Sequence, residues 1–182
     1  AGGRGARHAR TAPVRGDAHR SEQGGSASQN LALVLEEMAA LDSSSKLRDV
    51  SRVLKGRRLR PRDYTTVLKE LRRAGKWQLG LRVGEWLAER HPTAKAGSKG
   101  ERLPNLLHYN AMLSACAAAG EHAEATRLLS TMAARGVGAD SRSYATAISA
   151  CERHGAWSQA LALLQALESR AAPAHADTHD AV

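Results

Sequence analysis

Two thiols, a histidine pair and a run of cations are the side chains whose types and spacing could do chemistry in this sequence. Cys116 and Cys151 are its only cysteines, 35 residues apart. They fall at equivalent places in neighbouring helices of a repeat described below, whose axes should lie ~8–10 Å apart. A disulfide needs Cα atoms within about 7 Å, so both are expected to be free, buried thiols packing as small hydrophobes. His175 and His179 stand at i, i+4 beside Asp177 and Asp180, a spacing that suits zinc on a helix. The Glu of a His-Glu-x-x-His motif is missing, and no metal site is expected there. Nucleophile elbow, phosphate loop, paired catalytic acids and CxxC are all absent from these residues. The expectation is recognition rather than catalysis: no enzyme activity, no cofactor and no small-molecule substrate.

The cations are concentrated. Eight Lys or Arg lie between Lys46 and Arg62. Arg48, Arg52 and Lys55 recur at i, i+4, i+7, opposite Leu47, Val50, Val53 and Leu54, which describes an amphipathic helix with one basic face. Lys46, Arg48, Arg52, Lys55, Arg57, Arg58 and Arg60 are therefore candidates to track phosphates; the competing reading is the solvated side of a capping helix. The whole chain carries a net charge of +9, with +11 on residues 1–105 and −2 on 106–182. A basic half of this size points to an anionic partner, most often nucleic acid.

Elements must position these groups, and the composition says which kind. Apolar residues make up 42% of the 182 and charged residues 25%, enough for a core. With three Trp, three Tyr and no Phe, Leu and Ala must fill the interior, and that favours helix over strand. No run approaches the ~20 apolar residues that span a bilayer, so no membrane partner is expected. Residue 1 is Ala, which suggests a processed chain or a fragment. Two cysteines without a secretory signal argue for a reducing compartment. Residues 1–28 hold five Arg against Asp17 and Glu22 and almost no large apolar side chain. They are expected to lack regular structure, and their Arg-rich, acid-poor composition is that of a transit-peptide remnant.

Helical periodicity begins at Gln29, and residues 29–60 read as an N-terminal helix pair, a degenerate repeat or cap. From Pro61 the segments repeat. YTTVLKELRRAGKWQLGLRVGEWL starts at Tyr64, YNAMLSACAAAGEHAEATRLLSTM at Tyr109 and YATAISACERHGAWSQALALLQAL at Tyr144. Gly75, Gly120 and Gly155 each follow the Tyr by eleven residues, and Trp77, His122 and Trp157 come two further on. The last two units are 35 residues apart; the first two are 45 apart, the excess being an exposed Gly/Lys/Ser-rich loop at 91–103. Each unit reads as helix, glycine turn, helix, with helices near 61–73, 77–90, 106–119, 122–135, 141–154 and 157–170. One such pair cannot bury both faces, but stacked pairs can, and this period marks a helical solenoid. The fold class is all-α: an α-solenoid of stacked antiparallel helix pairs, with the three tyrosines in the packing.

The 35-residue period, the Tyr-Asn opening and the Gly-x-x-x-Asp ending of LLHYNAMLSACAAAGEHAEATRLLSTMAARGVGAD, residues 106–140, resemble the pentatricopeptide repeat family. The repeats then divide as 61–105, 106–140 and 141–175, with 176–182 opening a further, truncated repeat. The basic segment followed by RDYTTVLKELRRAGKWQLGLRVGEWL, a loop and PNLLHYNAML resembles plastid-transcription-associated members.

The resemblance implies a protein that binds single-stranded RNA in an organelle, about one base per repeat. Two side chains per repeat would read the base: Asn110 with Asp140, by resemblance a uracil-preferring pair, and Thr65 with Asn105, an adenine-preferring one. Ala145 in the last repeat cannot hydrogen-bond a base through its side chain. Arg62, Leu107 and Arg142 would flank bases by stacking. Asn110 could alternatively cap its helix. The implied role is organellar RNA processing, stability or expression, in the chloroplast or, alternatively, the mitochondrion. A helical scaffold for protein partners in a transcription or ribosomal assembly is the alternative function.

Overall fold

The computed structural model describes residues 18–91 and 103–171, with side chains from Ala27 to Arg170. Eight helices and no strand occur among them: α1 Ala18–Ala40, α2 Leu47–Leu54, α3 Pro61–Arg73, α4 Trp77–Arg90, α5 Leu106–Ala119, α6 His122–Ala134, α7 Ser141–Arg153 and α8 Trp157–Ala171. The six repeat helices fall within a residue of the limits that periodicity and glycine punctuation predict.

The turns explain that agreement. Gly75, Gly120 and Gly155 adopt φ of 69°, 83° and 67°, the left-handed region where a Cβ is strained. The following residue then folds back on the last turn: Lys76, Glu121 and Ala156 each donate N–H to a carbonyl five residues earlier, at Leu71, Cys116 and Cys151, all at 2.9 Å. Carbonyls left open at the end of a first helix are satisfied this way, and the second helix starts in a fixed direction.

The first helices α1, α3, α5 and α7 pack side by side in one row. The second helices form the other layer, in which α2 packs closely on α4, while α4 and α6 stand further apart and are bridged by Arg135, just past α6, which donates to Ala88 O at 3.4 Å. A row that touches on one side and splays on the other curves, with the first helices on the inner face. Small side chains let α5 and α7 approach: Ala115, Cys116, Ala147, Ala150 and Cys151 are all buried. Both cysteines are free, and burial pushes the Cys116 thiol up to about 12. Tyr64 and Tyr109 are buried, while Tyr144 is half-buried against the core.

Three features differ from the sequence reading. First, α1 begins at Ala18, so the end of the segment expected to lack regular structure, residues 18–28, is helical. Once Val34 and Met38 are anchored in the core, each added turn needs only propagation, which is close to neutral even for polar residues. Residues 1–17 lie outside the described residues. Second, the insertion expected to be exposed over 91–103 ends on Leu103, which is buried in the core; its apolar side chain rejoins the repeat. Residues 92–102 lie outside the described residues. Third, the apolar face of α8 is only partly covered: Leu161 is 60% exposed and Leu164 42%. Their counterparts Leu81 and Leu129 are buried, because α4 and α6 are each followed by another first helix, whereas α8 packs on α7 alone among the described residues. His175, His179 and residues 176–182 lie outside the described residues.

Candidate nucleic-acid interface

The N-termini of α3, α5 and α7 repeat one local design. The backbone N–H of the residue before each helix donates to the side chain three residues on: Arg60 to Asp63 Oδ2 at 2.8 Å, Asn105 to His108 Nδ1 at 3.2 Å, and Asp140 to Ser143 Oγ at 3.2 Å. This satisfies a donor at the helix start, where intrahelical partners are missing. Asp63, His108 and Ser143 are all buried. The caps themselves are Asn105, whose Oδ1 accepts from Leu107 and His108 N–H, and Asp140, whose Oδ1 accepts from Ser143 N–H at 2.8 Å.

Asn110 therefore does not cap α5. It lies a turn inside, half-buried, and its Nδ2 donates to both carboxylate oxygens of Asp140, at 3.3 and 3.4 Å. The two residues that the resemblance pairs are thus hydrogen-bonded across 30 residues of chain. Hydrogen bonds from the Ser143 side chain hold the Asp140 carboxyl below its ordinary range against the opposing effect of desolvation, with further help from Ser143 N–H and Asn110. The group is an anion at neutral pH.

Thr65 and Asn105 occupy the equivalent places one repeat earlier. Asn105 differs from Asp140 in being neutral, and its side-chain oxygen already serves as the cap. Ala145, the counterpart of Asn110, is exposed. Arg62, Leu107 and Arg142 are exposed in register, each at the second residue of its helix. Leu107 is 64% exposed, unusual placement for a leucine and suited to covering an apolar ring face.

From these N-termini one stripe runs down each first helix: Thr65, Lys69 and Arg72 on α3, Asn110, Ser114 and Ala118 on α5, and Ala145, Ser149 and Arg153 on α7. The stripes meet in an open groove on the inner face, lined by Arg72, Arg142 and Arg153 among small polar and alanine side chains. Lys69, Arg72 and Arg142 are exposed and form no ion pair among the described residues. Sequence reasoning singled out neither Lys69, Arg72 nor Arg153, because they do not form a run; their helical spacing from Thr65 and Ala145 is the signal that finds them.

The basic run from Lys46 is placed differently. Lys46, Arg48, Arg52 and Lys55 are exposed on or beside α2, in the second-helix layer. Arg52 pairs with Asp49 and Arg57 with Glu37, while Arg60 pairs with buried Asp63 at 3.1 Å. Burial acts to raise the Asp63 carboxyl, but hydrogen bonds and charge from Arg60 outweigh it and hold the group low. Arg58 and Arg60 stand in the connection to α3, beside Arg62 at the N-terminal end of the first-helix row. Among the described residues no cluster of three or more His, Cys, Asp or Glu could hold a metal, and no helix is long and apolar enough to cross a membrane.

Residues 104–153 match the PPR repeat family. No curated protein matches the chain in sequence. Among solved structures, the chain is similar to the pentatricopeptide repeat protein PPR10 in complex with an 18-nt psaJ RNA element, at 28% identity and a TM-score of 0.54. A cysteine-to-serine variant of that complex matches at 27% and 0.55. Each match covers 85% of this chain and 24% of the other, so the chain spans about a quarter of those proteins. The PPR domain of Arabidopsis thaliana protein-only RNase P 1 in complex with tRNA shares the fold at 13% identity and a TM-score of 0.54, over 89% of this chain and 82% of that one. Residues 104–153 thus carry the PPR repeat, within a stacked helix–glycine–helix solenoid that shares the fold of these structures.

Proposed function

We propose that the chain binds single-stranded RNA along the inner face of its first helices, recognising it without chemistry of its own. The observation that carries this reading is the Asn110–Asp140 pair, hydrogen-bonded at the base-facing end of the row and flanked in register by Arg62, Leu107 and Arg142. A side-chain donor and acceptors between stacking platforms is what reading one unstacked base requires. The groove cations Arg72 and Arg142, with exposed Lys69 one turn before Arg72, are placed to follow the backbone. The similarity to solenoids solved with RNA supports the same reading.

In the finer reading the RNA is an organellar transcript, and binding serves its processing, stability or expression. The chloroplast is the proposed site and the mitochondrion the alternative; the Arg-rich start and the resemblance to plastid-transcription-associated members support this.

Fluorescence anisotropy with short labelled oligonucleotides across a salt series tests the binding. Affinity should fall linearly with salt on logarithmic axes, as released counterions demand. Absence of RNA binding at low salt, with capture of a protein partner by the inner face, would favour the scaffold alternative.

A further inference from the structure

One buried hydroxyl touches both members of the Asn110–Asp140 pair. Ser143 is 0% exposed. Its Oγ lies 2.6 Å from Asn110 Oδ1 and 2.7 Å from Asp140 Oδ1, and it accepts the Asp140 N–H at 3.2 Å. A serine has one proton to give. Asp140 already receives Ser143 N–H and the Asn110 amide, whereas the Asn110 oxygen has no other donor among the described residues. The hydroxyl proton is shared between the two acceptors, Asn110 Oδ1 at 2.6 Å and Asp140 Oδ1 at 2.7 Å.

That contact fixes the sense of the amide. With Oδ1 on the Ser143 hydroxyl, Nδ2 faces the carboxylate. The flipped amide would set its oxygen against an anion with no proton between them. One amide N–H, one amide lone pair and the outer carboxylate oxygen then remain open, in a fixed order. Uracil offers an N–H flanked by carbonyls and can satisfy that order. Cytosine places a ring lone pair where uracil has the N–H, and would turn it toward the carboxylate.

The preceding repeat supplies an internal contrast. His108 occupies Ser143's place, accepts the Asn105 N–H through Nδ1 and bonds Pro61 O through Nε2 at 2.8 Å. An imidazole tied to the first turn of α3 does the capping there, and the cap residue is neutral Asn105. The serine hydroxyl shared between reader and cap belongs to the Asn110 repeat.

We propose that Ser143 is a positioning residue for base selection: its hydroxyl holds the Asn110 amide and the Asp140 carboxylate in the one donor–acceptor order that selects uracil over cytosine. The proposal rests on the RNA-binding reading above. The test compares oligouridylate and oligocytidylate of equal length on the whole 182-residue chain. Wild type should favour the uridylate. Ser143→Ala should cut the preference ratio by about 10-fold or to unity, the scale of one hydrogen bond removed, with the salt slope unchanged. Ser143→Thr, which keeps the hydroxyl, should retain the ratio. Ser143→Cys keeps the packing and weakens the donor, and stands in if Ser143→Ala fails to fold. A folded Ala or Cys variant with the wild-type ratio overturns the proposal, as does a wild type that binds both oligonucleotides equally. A wild type that binds neither at low salt removes the RNA-binding reading, and this proposal with it.

Discussion

Asn110 Nδ2 lies 3.3 Å from Asp140 Oδ1, so the amide of one first helix is bonded to the N-cap of the next. The same carboxylate starts α7 and forms half of the candidate reading pair. The proposed recognition and the helix cap thus draw on one anion, and replacing it should disturb both, whereas replacing Asn110 leaves the Ser143 N–H cap of α7 intact.

Asn110→Ala should accordingly change base preference at one position and little else. Loss of a good polar pair to a base is worth about 1–3 kcal/mol of discrimination. The salt slope should stay near wild type, because no cation is removed. Binding to oligonucleotides carrying each base at a single variable position measures both quantities.

Charge reversal separates the two basic regions. Arg72→Glu with Arg142→Glu removes groove cations and should weaken all RNAs alike. The logarithmic salt slope should fall by about 0.7 for each phosphate no longer neutralised. Arg48→Glu with Arg52→Glu alters the second-helix layer and should leave the slope less affected. An equal or larger effect from the α2 pair would move the phosphate track to the outer layer. Arg58→Glu, in the connection beside Arg62, should weaken binding and lower the slope.

Much of this architecture was legible from punctuation. Tyr64, Tyr109 and Tyr144 with Gly75, Gly120 and Gly155 set the helix limits to within a residue, because a left-handed glycine stops a helix by local geometry alone. The family resemblance, not the register, pairs Asn110 with Asp140. What spacing could not show is which layer a cation lies in. Lys46 to Arg62 stood out as a run, yet part of it sits on α2, and part is committed to Glu37 and Asp63. Arg72 is inconspicuous in sequence and lines the groove. The helical start at Ala18 and the burial of Leu103 depend on tertiary anchors that composition does not reveal.

Acid should destabilise the fold through its caps. Asp63 and Asp140 both have carboxyls held below their ordinary value in the folded chain. A group depressed on folding contributes stability that is present above the unfolded value, near pH 3.9, and lost as pH falls through the folded value. Thermal unfolding should therefore be flat from neutral pH to about pH 5 and decline below it. Asp140→Asn should start from a lower midpoint and decline less steeply. An unchanged acid limb in both Asp140→Asn and Asp63→Asn would show that neither cap is linked to folding.

The glycines that end α3 and α5 should not be equally replaceable. Gly75 has φ of 69° and open space where a Cβ would go. Ala there meets only backbone strain, about 1–2 kcal/mol. Gly120 has φ of 83°, and a Cβ there would overlap Nε2 of His154. That ring also stacks on His122, with centroids 5.6 Å apart, and Arg153 beside it donates to Ala117 O at 3.4 Å. The end of α7 is thus seated on the end of α5 through a contact that glycine alone permits. Gly120→Ala must displace the imidazole as well as strain the turn, so its cost should exceed that of Gly75→Ala. Adding His154→Ala should return part of the difference, while the same addition to Gly75→Ala should not. Sites in contact couple by about 0.5–3 kcal/mol and distant ones by about 0.3–0.5 or less. Denaturant unfolding of the four combinations at Gly120 and His154 measures that coupling. A value near zero would mean that the imidazole leaves the turn at no cost and does not seat one repeat on the next.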